Sequence, residues 1–105
     1  GDSHVIVAGD FNAEPESKPY EILTGNAVQI SGAMLRDTKS LSIHPHHGPT
    51  RTFTAFRFSA LKETAPPIDH IFTTGGTVIN HGTLSDTFDG LFPSDHMPVM
   101  AEIRF

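Results

Sequence analysis

Near its start the chain carries an apolar, β-branched run, Val5-Ile6-Val7-Ala8, that Gly9 stops and Asp10, Phe11 and Asn12 follow. A run of this kind, with no alternation, fits a strand covered on both faces and does not fit a surface helix. The reading is a buried strand over residues 3–9, which leaves Asp10, Phe11 and Asn12 at its C-terminal end. Ser17 is placed to cap a helix that accepts Pro19 in its first turn, carries Tyr20, Ile22 and Leu23, and stops near Gly25. Residues 26–38 yield only a short strand around 34–37. Residues 38–50 hold Pro45, Gly48 and Pro49 among three histidines and read as a long loop. Phe53, Phe56 and Phe58 partly alternate with polar neighbours, so 51–58 reads as a strand with these rings in the core. After a connection at 60–67, residues 68–74 and 77–84 read as a hairpin about Gly75-Gly76. A polar loop spans 85–95, with Asp86 and Asp89 as turn residues, and 98–105 forms a final strand. The class is α+β, mostly β sheet with one clear helix.

With 105 residues the chain fits one domain. Its 37% hydrophobic content and 8 Phe suffice for a core. The absence of Cys excludes disulfides, thiolate metal sites and a Cys nucleophile. Twelve Asp+Glu against 7 Lys+Arg give a formal net charge of −5, which does not favour a grip on a nucleic-acid backbone. No apolar run approaches the roughly 18 residues of a membrane span, and the opening residues are not expected to be a signal peptide.

Acids, an amide and His gather where strands are expected to end: Gly9-Asp10-Phe11-Asn12, Ile68-Asp69-His70 and Ser94-Asp95-His96, with the 50–56 stretch beside them. Carboxylates at the ends of apolar strands are destabilising unless they pair or bind a cation. An Asp beside a His, with other acids at hand, suits a hard divalent ion and an acid–base group. Such a set fits metal-assisted hydrolysis of a phosphate ester, in which positioning and charge neutralisation supply most of the catalysis.

GDFN at 9–12, ID at 68–69 and SDH at 94–96 stand in the order found in the endonuclease/exonuclease/phosphatase family, the DNase I-like fold, and GDFNAEPES with Tyr20 and Leu23 is most similar to its broad metal-dependent hydrolase branch. The chain resembles the C-terminal half of that fold, a four-layer α/β/β/α sandwich, over nearly all of residues 1–105. The resemblance implies a phosphodiesterase or phosphomonoesterase acting by in-line attack of water, with Mg²⁺ or Mn²⁺ as cofactor. It implies that Asp10 polarises or deprotonates the attacking water or helps hold the metal, and that Asn12 hydrogen-bonds the phosphate or that water. His96 contacts the phosphate, Asp69 fixes its ring, and Asp95 lies at or near the ion. Arg51, in GPTRTFTAF, lies near the substrate. His70 stands where the family commonly has an aromatic residue and is read as packing. Ser94 is given no chemical role.

The family's N-terminal half supplies a metal-binding Glu, which neither Glu14 nor Glu16 replaces. The expectation is therefore a fragment, inactive or weak alone, whose open sheet face needs the missing N-terminal half or a second copy. Two other readings stay open. One is a non-enzymatic assembly module that retains the half-fold. The other is a metal-binding protein built on His44, His46 and His47, a run whose composition also fits a solvated loop.

Overall fold

The computed structural model describes residues 4–25, 29–30, 32–62 and 64–105. Strand β1 (Ile6–Asp10) leads to helix α1 (Lys18–Thr24), then to short strands β2 (Gln29–Ile30), β3 (Ala33–Met34) and β4 (Arg36–Asp37). A one-turn helix α2 (Thr38–Leu41) and a 3-10 helix (Phe58–Lys62) precede β5 (Asp69–Thr73), β6 (Thr77–Thr83) and β7 (Val99–Arg104). Sheet dominates and α1 is the one substantial helix, as expected for this α+β class. No described helix is long and apolar enough to cross a membrane.

Strand β5 is the centre of a three-stranded sheet ordered β1-β5-β4, with both pairings antiparallel. Its side chains alternate. His70 and Phe72 share one face and meet the Tyr20 ring of α1, at centroid separations of 5.3 and 5.7 Å. Phe72 is fully buried and also takes the edge of Phe11 at 5.2 Å. One face of the sheet is thereby tied to α1 and to the residue after β1 by a cluster of rings, which contribute more than their area alone. Tyr20 Oη donates to Asp37 Oδ2 at 2.7 Å, and Asp37 Oδ1 accepts from Lys39 N to cap α2. Burial, and then that carboxylate, push the Tyr20 phenol well above its ordinary range.

Strands β6 and β7 form a separate antiparallel pair, with a bulge between Val78 and Asn80. Phe72, Leu35 and Val78 are the largest fully buried apolar side chains among the described residues, and Thr38, Thr52, Thr54, Thr73 and Thr83 share that interior. A core so rich in threonine stays stable only if each hydroxyl is bonded. Thr38 Oγ1 donates to the Ile71 carbonyl at 2.8 Å, and Thr73 Oγ1 donates to that of Gly75.

Four expectations are corrected. The 68–74 and 77–84 segments do not form a hairpin: β5 pairs with β1 and β4, and β6 with β7. The chain follows β1 as far as Thr74, whose N–H donates to Val5 O, and then turns through Gly76 at φ +87°. Residues 51–58 do not form a strand. Phe53 makes one bridge, to His96, while Ala55 and Phe56 adopt φ of +50° and +63°. Phe56 and Phe58 are 61% and 49% exposed, so only Phe53 is tucked in. Strand β1 is not buried, with Ile6 at 49% exposure, because β1 is an edge strand paired on one side, with β5. Residue 3 of the expected strand and residue 63 of the connection lie outside the described residues. Helix α1 matches its expected start and stop, although Ser17 makes no side-chain cap bond. The 38–50 loop opens with α2 and is pinned by a parallel bridge between His47 and Gly82.

Candidate active site

Asp10 ends β1 and Asp69 begins β5, and the antiparallel register sets them directly opposite each other. One local turn decides what Asp10 can do. Asn12 adopts φ +47°, a left-handed conformation that Asn tolerates better than most residues, and its N–H donates to Asp10 Oδ1 at 2.9 Å. Oδ1 is thereby engaged, and Oδ2 faces His96 Nε2 at 3.7 Å.

His96 arrives on the loop before β7. Its own N–H donates to Ser94 Oγ at 3.1 Å, which makes Ser94 a turn residue as expected. Its ring lies 5.1 Å from that of Phe53, across their bridge. Nδ1 meets Asp69 Oδ2 at 2.8 Å. A carboxylate there assigns the proton to Nδ1 and leaves Nε2 free, pointing at the space beside Asp10. The Asp69 hydrogen bond raises the His96 pKa, partial burial opposes it, and the charges of Asp69, Asp10 and Asp95 add to the rise.

Two buried threonines, which sequence reasoning passed over, build the frame. Thr52 Oγ1 accepts from the backbone N–H groups of Ile68 and Asp69 at 3.1 and 3.3 Å. Thr54 N–H and Oγ1 both donate to the Asp95 carbonyl, at 2.7 and 3.1 Å. The irregular 51–56 stretch therefore fastens the strand carrying Asp69 to the loop carrying His96. Spacing gave no warning of this, since an isolated buried Thr has no periodic signature.

Asp10, Asp69 and His96 each offer a ligand atom within 4.8 Å of the others, the one such group among the described residues. Two facing carboxylates with an imidazole beside them are a donor set that could hold a divalent cation, its shell completed by water or phosphate oxygens. Asp95 lies outside this group. Its Oδ1 sits 3.4 Å from Ser94 Oγ. Arg51 is half-buried, and its Nε donates to the Phe53 carbonyl at 2.6 Å. It borders a groove of about 220 Å³ with Glu14, Phe53, Ala65, Pro66 and Ile68. His44 meets Asn80 and His46 meets His81, and among the described residues the histidine loop gathers no group of three ligands.

The profile of the endonuclease/exonuclease/phosphatase family matches residues 1–96. No curated protein sequence matches the chain. Among solved structures, a conserved protein of unknown function from Enterococcus faecalis is 33% identical over 95% of this chain and 36% of its own, with a TM-score of 0.77. A mannosyl-6-phosphatase from Bacteroides thetaiotaomicron is 28% identical over 99% of this chain and 39% of its own, at 0.82. A family protein from Bacteroides vulgatus is 27% identical over 96% and 37%, at 0.76. The chain thus spans between 36% and 39% of the length of these structures. The order of strands, the facing acids and the matched profile lead to one conclusion: this chain belongs to the endonuclease/exonuclease/phosphatase family and carries part of its DNase I-like fold.

Proposed function

We infer that this chain contributes the water-activating and phosphate-binding side of a metal-dependent phosphoesterase. The observation that carries this reading is His96, held at Nδ1 by Asp69 with Nε2 free toward Asp10 Oδ2 at 3.7 Å. As imidazolium, His96 donates from Nε2 to a phosphate oxygen, and Asp69 keeps the ring charged and in plane. Asp10 Oδ2 orients the attacking water in line with the leaving alcohol, and the Asn12 side chain hydrogen-bonds that water or the phosphate. The water oxygen bonds to phosphorus and gives a proton to Asp10 Oδ2 as the ester P–O bond breaks, and the leaving alkoxide takes up a proton from solvent. Asp10 and Asp69, with Asp95 nearby, would hold Mg²⁺ or Mn²⁺, which when bound neutralises charge on the phosphate. Arg51 supplies a guanidinium at the groove beside Phe53. The alcohol part of the ester is left open between monoester and diester. The similarity to a mannosyl-6-phosphatase supports a phosphomonoester of a small molecule, and the net charge of −5 agrees with that.

A partner for the exposed apolar side chains of the two sheets is part of the proposal. Ile6 on β1 and Met100 on β7 remain exposed, and the chain spans under two fifths of its structural relatives. They take the remainder of the domain or a second copy. The deciding experiment is hydrolysis of aryl phosphomonoesters and diesters by the concentrated chain with Mn²⁺, with Mg²⁺ and with chelator, alongside Mn²⁺ binding. Metal-dependent turnover that disappears in Asp10→Asn and His96→Ala supports the reading. Turnover unchanged in both variants, or a folded chain to which Mn²⁺ does not bind, refutes it.

A further inference from the structure

We propose that His70 is a positioning residue that fixes the turn carrying Asp10 and Asn12; the proposal rests on the hydrolytic reading of that turn. Adjacent residues of a strand face opposite ways. Asp69 therefore reaches toward His96, while His70 points to the other face, beneath α1. There the His70 ring is 3% exposed, and its Nε2 lies 2.5 Å from the Ala13 carbonyl oxygen. A carbonyl only accepts, so Nε2 carries the proton and donates. Ala13 is itself buried and directly follows Asn12.

The turn between Asp10 and Ala13 has three fastenings. Phe11 N–H donates to Ile68 O at 3.1 Å, Asn12 N–H donates to Asp10 Oδ1 at 2.9 Å, and His70 holds the Ala13 carbonyl. The first two lie within or before the turn. Only the third grips its far side, where the chain leaves the site for α1. It also stands against a strained segment, since Asn12 sits at φ +47°. One dipeptide thus sets both sides of the centre: Asp69 orients His96, and His70 holds the backbone that orients Asp10 and Asn12. A hydrophobic ring would fill the same space among Phe11, Tyr20 and Phe72, whose centroids lie 6.0, 5.3 and 5.5 Å away, but it would supply no donor.

Two substitutions separate donation from packing. His70→Phe keeps the ring contacts and removes the N–H. His70→Gln discards the ring and retains a side-chain amide donor of comparable reach. Amide hydrogen exchange at Phe11 and Asn12 is read against thermal midpoint in both. The expected result is exchange faster by about tenfold at these amides in His70→Phe, the effect of one lost hydrogen bond, with near-normal exchange in His70→Gln although its midpoint is lower. If exchange at Phe11 and Asn12 is unchanged in His70→Phe, or simply follows the midpoint in both variants, His70 is packing alone and the proposal fails. In hydrolysis assays kcat should fall by up to about tenfold in His70→Phe, the scale of that one hydrogen bond, with KM little changed, and recover in His70→Gln. A folded wild-type chain to which Mn²⁺ does not bind overturns the hydrolytic reading, and the exchange comparison still decides the role of His70.

Discussion

Acid should weaken this fold through one buried ring. His81 on β6 is 4% exposed, and its Nδ1 lies 2.9 Å from His46 Nδ1. His46 Nε2 is 2.8 Å from the Pro49 carbonyl, which can only accept, so the proton of His46 is assigned to Nε2 and its Nδ1 accepts from His81. Burial first, and then His46, lower the His81 pKa from 6.5 to about 4. The folded pKa lies below the unfolded one, so the unfolded chain binds the extra proton. Stability is therefore complete above pH 6.5 and is lost as pH falls toward 4. The difference is 6.5 − 4 = 2.5 units, and at 1.36 kcal/mol per unit it amounts to about 3 kcal/mol. Carboxylates also titrate in this range, so the measurement must be a difference. His81→Asn keeps an amide donor near the position of Nδ1 but takes up no proton. Urea unfolding of both chains between pH 7.5 and 4 should give curves that diverge by about 3 kcal/mol, with the wild type falling faster. Parallel curves would refute the claim that His81 is held neutral.

Three further outcomes follow from particular contacts. Asp69→Asn removes the main cause of the raised His96 pKa, so the imidazolium should be lost at lower pH, near the ordinary value of about 6.5; a His96 titration by NMR identical to wild type would contradict this. Gly48→Ala places a Cβ against the Thr83 carbonyl at φ +84° and should lower stability by about 1–3 kcal/mol or more in chemical denaturation. Phe72→Ala, at a fully buried ring touching Phe11, Tyr20 and His70, should cost about 3–5 kcal/mol, which a denaturation midpoint will report.

Strand ends proved easier to read than strand partners. Val5 to Asn12 carries its own stop signal, and the helix with Pro19 and Gly25 follows local rules, so both were legible. The placing of acids at strand ends also told where Asp10 and Asp69 would stand. Pairing is a different matter, because Gly75-Gly76 has the chemistry of a hairpin but delivers β6 to another sheet. That choice is made by β1 and β7, which lie far from the turn in sequence. The Phe53, Phe56 and Phe58 pattern misled because Thr52 and Thr54 turn inward and bond loop backbone, leaving two rings outside. Their hydroxyls carry weight that no periodicity reveals. His70 was read as packing. Its ring does pack, and its hydrogen bond to Ala13 depended on a loop conformation no spacing could show.

The facing of Asp10 and Asp69 also bears on how the chain acquires its shape in time. The two are 69 − 10 = 59 residues apart, and the ladder runs out to Ile6 opposite Thr73. Contacts this distant close late, after a large loss of chain freedom. A ribosome adding roughly 5–20 residues per second exposes Val5 to Ala8 for several seconds before β5 exists. During that interval the apolar run lacks its β5 partner and is open to wrong ones. The carboxylate pair cannot form in any local piece of structure, so its appearance marks the moment at which β1 and β5 have joined.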